Sequence, residues 1–499
     1  MSYLGIDIGT GACKAVTFTG EGDEIASAYR EYPLLHPDDR QAELDSRKVL
    51  DSCLEVIGEV NAATGDPVRA MAISSQGEAM TPVGGDGTIL GNAMVSTDTR
   101  AEHLVVPFSQ EFGEEALYRV TGHTPHTLFS LYKLLWVKEH QPEVWKKARY
   151  FLCFEDLLQW ELGIPPHISW PLAGRTMLFD VRKHGWSGEI LAAIGLEADR
   201  LAEPVPSGQV VGVIETGTGR QLGFRNEVLV VAGGHDQTCA ALGAGVVKPG
   251  LCMYATGSVE CFCPMFEKPV FSDRLRMNNL CCYDYTIRGA YTTVAYSLTG
   301  GNILRWARDE FGYEERIMAE RTGENAYQLL LDKMPGDPTG LLVLPYFSAT
   351  GTPYFDTRTK GALIGLQLTT RKGEMIKALL EGVALEMKLN LLLMEETGME
   401  VETLVATGGG TGHDAWNQLK ADVLNRKVIV REVRETGCLG AALLAQGAHS
   451  GIAVQQLARE DRQERFFEPD PGKSRIYNEK FERYRHLYPV LKAFGNGGT

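Results

Sequence analysis

Asp236 lies in the stretch VLVVAGGHDQTCAALGAG, from Val228 to Gly245. An apolar strand pattern runs into Gly233 and Gly234, and a small-residue helix pattern follows. A carboxylate at that junction could accept a substrate hydroxyl's proton during phosphoryl transfer. It could equally be a helix N-cap and nothing more. Gln237 beside it could hydrogen-bond a substrate. His235 in such a place is more often structural than a ligand.

Three further stretches carry chemistry of the same kind. GIDIGTGACK (Gly5 to Lys14) has three glycines that allow a sharp turn and close approach of amides to an anion. Thr10 adds a hydroxyl, Lys14 a positive charge, and Asp7 a carboxylate that could hold Mg²⁺ directly or through water. The spacing is neither a Walker A loop nor a dinucleotide fingerprint, because a second strand follows instead of a helix. A hairpin turn that merely needs glycine is the plain alternative. ATGGGTGHDAWNQLKADVL (Ala406 to Leu424) offers a flat glycine surface for a base or ribose, then a helix N-terminus. In AISSQGEAMTPV (Ala72 to Val83), Gln76 and Glu78 would point the same way on a continued strand and could hold sugar hydroxyls. A polar strand end facing solvent is the alternative. Asp98 and Arg100 could join them, or form only a surface ion pair.

The elements needed to position these groups are legible. Tyr3 to Phe18 and Gly250 to Cys263 each read as strand, glycine turn, strand. Each half later shows an apolar strand entering glycines and then a helix. This repeat predicts two related α/β domains, residues 1–246 and 247–499, separated at Lys248-Pro249-Gly250. Ligands in such folds sit at the carboxyl ends of strands, so the glycine turns should share a central cleft. Helical spacing marks Leu131 to Pro142 and Gly373 to Gly398, with the methionines of the latter as core. A last helix is expected from Tyr477 to Tyr488, stopping before Pro489.

The chain has 499 residues, enough for two cores. A formal charge of −15 argues against nonspecific nucleic-acid binding but leaves a local phosphate nest possible. The opening MSYLGIDIG has no basic stretch followed by an apolar run, and no apolar run is long enough to cross a bilayer. The ten cysteines are scattered. Reduced, buried thiols in a cytoplasmic protein are expected, including Cys261 and Cys263 in preference to zinc.

Together these segments resemble the FGGY carbohydrate kinase family. The resemblance is colinear over most of the chain. It is most specific in LPYFSATGTPYFDTRTKGALIGL (Leu344 to Leu366) and in SLYKLLWVKEHQPEVW, with Lys133 and Trp136 in place. It implies two ribonuclease-H-like domains of the actin/hexokinase/Hsp70 ATPase type, closing on ATP and Mg²⁺. It places Asp7 at the metal, Thr10, Gly11 and Lys14 at the phosphates, and Thr256 and Gly257 in a second phosphate turn. Gly301, Gly409, Gly410 and His413 would border the adenosine. Asp236 would be the base, with Gln76, Glu78, Asp98 and Gln237 at the substrate.

The substrate side departs from both best-known patterns. Xylulokinases usually show Gln-Met-His-Gly where this chain has Gln76-Gly77-Glu78-Ala79. Glycerol kinases show Gln-Arg-Glu, so Glu78 matches while Gly77 replaces the arginine. Gln237 is glycerol-kinase-like, whereas Leu128 stands where that enzyme has a tyrosine. The resulting larger pocket points to a ketose such as a pentulose, or to a four- to five-carbon polyol. A glycerol- or erythritol-type polyol kinase is the alternative within the family. An actin-like ATPase without sugar chemistry, or a sensor that has lost catalysis, is the alternative outside it. The sequence leaves open whether the chain forms a homodimer.

Overall fold

In the computed structural model, residues 1–458 and 464–495 are described. Two six-stranded sheets carry the molecule. The first contains β1 (Ser2–Ile8), β2 (Ala12–Thr19), β3 (Glu24–Glu31), β4 (Val68–Ser75), β5 (Val210–Ile214) and β6 (Val228–His235) in the order β5-β6-β4-β1-β2-β3. The second contains β7 (Gly250–Thr256), β8 (Glu260–Pro264), β9 (Ala295–Ser297), β10 (Val401–Thr407), β11 (Lys427–Arg431) and β12 (Glu464–Phe467) in the order β9-β8-β7-β10-β11-β12. In each, an antiparallel three-stranded meander is extended by parallel strands, β1 with β4 and β4 with β6, then β7 with β10 and β10 with β11. Each sheet ends on an antiparallel edge strand, β5 or β12. This is the internal repeat that the sequence foreshadows.

The helices that matter for the site are α1 (Ser46–Ala63), α2 (Ser130–His140), α3 (Trp170–Gly174), α4 (Asp236–Gly243), α5 (Gly301–Phe311), α6 (Lys372–Glu395), α7 (Asp414–Leu424), α8 (Thr436–Ser450) and α9 (Pro471–Tyr484). All strands of the first sheet precede residue 236 and all strands of the second follow residue 249. The helices do not respect that division. α8 follows the second sheet in the chain but packs on β1, β4 and β6 of the first, crossing α4. Glycines make the crossing possible. A Cβ on Gly243 would lie 1.9 Å from Thr436 O, one on Gly440 1.9 Å from Cys239 O, and one on Gly5 1.8 Å from Cys438 O. The apolar core accordingly runs from β1 and β4 into Cys438, Leu439 and Ala441 to Ala445. Met387 and Met394 of α6 are fully buried in the second half.

Two local expectations need correction. The last predicted helix begins earlier, as α9, and breaks at Arg485–His486; Pro489 then lies in the first turn of a further helix, Leu487–Gly495, where a missing N–H is tolerated. The strand entering Gln76 stops at Ser75, and Glu78 has a left-handed φ of 67°, so Gln76 and Glu78 do not share a strand face.

Candidate active site

The turns expected to face nucleotide line a common cavity. Thr256, Gly257, Gly301, Gly409, Gly410 and His413, all singled out from sequence, line one cavity of about 410 Å³ with Asn302, Arg305, Tyr327 and Trp416. Its floor is backbone against backbone. Gly301 N donates to Gly257 O at 2.8 Å, and a Cβ on Gly410 would come 2.9 Å from Thr256 Oγ1. Thr256 itself is fully buried and its hydroxyl donates to Thr407 O at 2.8 Å, tying β7 to β10. That hydroxyl therefore holds the two strands together, and the ligand surface is the turn beyond it. A Cβ built on Gly409 would meet nothing within 4 Å, so that face is open to a flat ligand. His413 is held by a contact of 3.0 Å between its Nδ1 and Gln328 Oε1.

The first phosphate turn joins β1 to β2 and puts Asp7 opposite Lys14. Ser74 Oγ donates to Asp7 Oδ1 at 2.6 Å. Burial pushes the Asp7 carboxyl up to about 6, and the charge of Asp236 pushes the same way against the Ser74 hydrogen bond. Lys14 pairs with Glu435 at 2.8 Å, at the start of α8, and its charge only partly offsets the burial of Asp7. Gly11 is exposed with nothing within 4 Å of a built Cβ. A carboxylate raised by burial, with one oxygen committed, is a donor set suited to a hard divalent cation.

On the substrate side, the structure redistributes the roles read from sequence. Gln76 spends both ends of its amide on the turn, accepting from Thr10 Oγ1 at 3.0 Å and donating to Gly9 O at 3.2 Å. These bonds brace the turn between β1 and β2 and take one of the side chain's two amide hydrogens and one of its two oxygen lone pairs. Asp98 is withdrawn from the site. It is buried, accepts from Ala42 N at 2.8 Å and is chelated by Arg100, which also reaches Glu43 at 2.7 Å. Neither a surface pair nor a free substrate ligand describes it; it ties the loop 95–100 to the residues before α1. Gln237 is half-buried and accepts from Cys261 Sγ of β8 at 3.2 Å.

Glu78 lies in a cluster that sequence reading did not assemble. Arg175, at the end of α3, donates from Nε to Glu78 Oε1 at 2.6 Å, and its Nη2 meets the same oxygen. Gly77 permits this: a Cβ there would lie 3.2 Å from both Arg175 Cβ and His235 Cδ2. The guanidinium beside Glu78 thus comes from a residue 97 positions later in the chain. Burial works against the Arg175 charge, but the Glu78 carboxylate outweighs it and keeps the guanidinium protonated. Lys133 of α2 is buried beneath, donating to Glu78 O at 3.3 Å, with burial lowering it to about 8. The guanidinium also sits over the rings of Phe129 (5.3 Å) and Tyr283 (5.5 Å).

Asp236 is the first residue of α4, half-buried, with His235 Nε2 2.9 Å from its Oδ1. Burial alone would raise it. The His235 imidazole, the Gln237 amide and Arg175 together outweigh burial and hold the carboxyl below its usual range. The two carboxylates are therefore driven apart, Asp7 upward and Asp236 downward. The N-cap alternative for Asp236 does not hold, since that position is His235.

Duplicated sheets with interleaved helices, a glycine-lined cavity in the second half and acidic groups at strand ends of the first are the features of a two-domain phosphotransferase of the actin/hexokinase-like fold. Residues 2–243 match the N-terminal domain of the FGGY family of carbohydrate kinases, and residues 252–449 its C-terminal domain. The chain belongs to that family and is an ATP-dependent carbohydrate kinase. It is 27% identical over 500 residues to a xylulose kinase of Bacillus subtilis, covering 99% of this chain and 98% of the relative. It is 27% identical over 446 residues to a gluconokinase of Bacillus licheniformis, covering 88% and 86%. Solved folds agree. Ligand-bound xylulose kinase from Lactobacillus acidophilus superposes with a TM-score of 0.90 at 23% identity over 100% of both chains. Plasmodium falciparum glycerol kinase with ADP superposes at 0.84 and 22% identity, over 97% of this chain and 98% of the other.

Proposed function

We propose that this kinase transfers the γ-phosphoryl group of ATP to a hydroxyl of an uncharged ketose, a pentulose such as xylulose, or of a short polyol, with Asp236 as general base. The observation that carries the reading is the ionised Asp236 carboxylate in one cluster with the Arg175–Glu78 pair. Both Arg175 contacts go to Glu78 Oε1, which leaves Oε2 for a sugar hydroxyl. Among the described residues of this cluster, Arg175 pairs with Glu78, and the buried Lys133 ammonium rests on the Glu78 carbonyl. A sugar acid would bring a third carboxylate beside Glu78 and Asp236, opposed only by the buried Lys133 ammonium. This favours the xylulose kinase relative over the gluconokinase relative as a guide to substrate. Residues 1–246 would form the substrate half and residues 247–499 the nucleotide half, acting in the cytoplasm.

Thr10, Gly11 and Lys14 on one side and Thr256 and Gly257 on the other cradle the phosphates through preorganised amides and one ammonium. Lys14 exchanges Glu435 for phosphate oxygens when nucleotide enters. Asp7 would hold Mg²⁺, which when bound neutralises charge on the phosphates. Gln237 and Glu78 orient the substrate, Asp236 takes the hydroxyl proton, and closure of the halves excludes water.

A panel of pentuloses, tetritols, glycerol and gluconate, read as substrate-dependent ADP release, tests the substrate class; gluconate as the best acceptor would overturn it. Asp236→Asn should retain nucleotide binding and lose roughly 10²- to 10⁴-fold in kcat. Near-parental turnover in that variant would remove Asp236 from the role.

A further inference from the structure

His235 and Tyr283 are buried polar side chains that the mechanism above leaves without a task, and both lie against the proposed base. Tyr283 Oη and His235 Nδ1 are 3.0 Å apart, and His235 Nε2 is 2.9 Å from Asp236 Oδ1. A carboxylate can only accept, so Nε2 carries the proton. In the neutral imidazole Nδ1 then accepts from the Tyr283 hydroxyl, and burial keeps that phenol protonated. The imidazole is clamped on its other faces. Cδ2 lies where Gly77 has no side chain, and the Tyr283 ring meets it edge-on at 5.9 Å. The Nε2–Oδ1 contact is short but poorly aligned in the unliganded chain, as contacts at a base often are before substrate binds.

Tyr283 comes from the second half. It is carried on the excursion between β8 and β9, and that excursion rests on the first half. Cys282 N donates to Gly122 O at 2.9 Å, Tyr118 donates to Leu280 O at 3.0 Å, and His184 Nε2 lies 3.0 Å from Asp284 Oδ1. Gly122 and Gly174 make room for it, with built Cβ atoms 1.8 Å from Cys282 O and 3.3 Å from Tyr283 Cβ.

We propose that Tyr283 and His235 are positioning residues for Asp236, the tyrosine fixing the imidazole tautomer and the imidazole holding Oδ1 so that Oδ2 faces the substrate hydroxyl. The proposal rests on Asp236 being the base. A chain segment from the nucleotide half thereby sets the geometry of a base carried by the substrate half. The pair acts through Asp236 and touches no reacting atom.

The test is a mutant cycle in the full-length enzyme: Tyr283→Phe, His235→Gln and Asp236→Asn, alone and combined. Tyr283→Phe and His235→Gln should each lower kcat by about 10- to 100-fold, the scale of a misplaced catalytic group. KM for sugar and for ATP should stay within about 3-fold, and neither change should lower kcat further once Asp236 is Asn. Losses that multiply in the Asp236→Asn background, or that fall on KM with kcat intact, would overturn the inference. So would parental kcat in both single variants while Asp236→Asn is inactive. Parental turnover in Asp236→Asn would instead bring down the base assignment itself, and the positioning role with it. Tyr283→Phe changes one buried hydroxyl, so it keeps the test decisive if His235→Gln does not fold.

Discussion

At the scale of single residues, environment decides what each acidic side chain can do. Asp7 is raised to about 6 from 3.8, chiefly by burial. Its folded value exceeds its unfolded one, so the native state holds more protons between those values and gains stability as pH falls through about 6. Asp7→Asn should therefore stabilise the metal-free protein at pH 8, by at most about 3 kcal/mol, with the gain gone near pH 4. Urea unfolding at the two pH values checks this; equal effects would contradict the burial argument. The Arg175–Glu78 pair is a different case, two buried charges matched to each other. Arg175→Met strands Glu78 and should cost about 3–5 kcal/mol, much of it recovered when Glu78→Gln is added. An additive double variant would show that the two charges are not coupled.

At the scale of elements, the α4–α8 crossing holds the halves together around Asp236 and Asp7. Its closeness depends on positions without side chains. A methyl at residue 440 would overlap Cys239 O, which belongs to backbone that cannot swing aside. Gly440→Ala should destabilise by about 2 kcal/mol or more and lower turnover. Ala at Gly398, whose built Cβ meets nothing but whose φ is +86°, should cost only the smaller backbone term. Thermal unfolding of the two variants separates overlap from conformational strain. A milder effect at Gly440 than at Gly398 would argue against the tight crossing.

At the scale of the whole molecule, the two halves are joined by α8, the Lys14–Glu435 pair and the excursion that bears Tyr283. Saturating ATP with Mg²⁺ should stabilise the fold by about 2.7 kcal/mol at a hundredfold excess over Kd, seen as a rise in Tm. Sugar alone should raise it less, because the groups facing it lie mainly in one half. No ATP-dependent shift would contradict the cavity lined by Thr256, Gly301 and Gly410. All ten cysteines are buried and free, and no described helix is long and apolar enough to cross a membrane.

Local order was enough to read the repeat, because a strand, a glycine turn and a helix each leave their mark within about twenty adjacent residues. The same proximity marked Asp7, Asp236 and the glycines of the second half as candidates, because each sits in or beside a turn. What sequence could not supply was pairing at a distance. Arg175 reaches Glu78, and Tyr283 reaches His235, across 97 and 48 positions of chain. Asp98 carries the right chemistry for a sugar, yet its hydrogen-bonding capacity is consumed by Ala42 and Arg100, and Gln76 is partly spent on Thr10 and Gly9. A side chain's type fixes which bonds it can make; only the folded arrangement decides which partner arrives first.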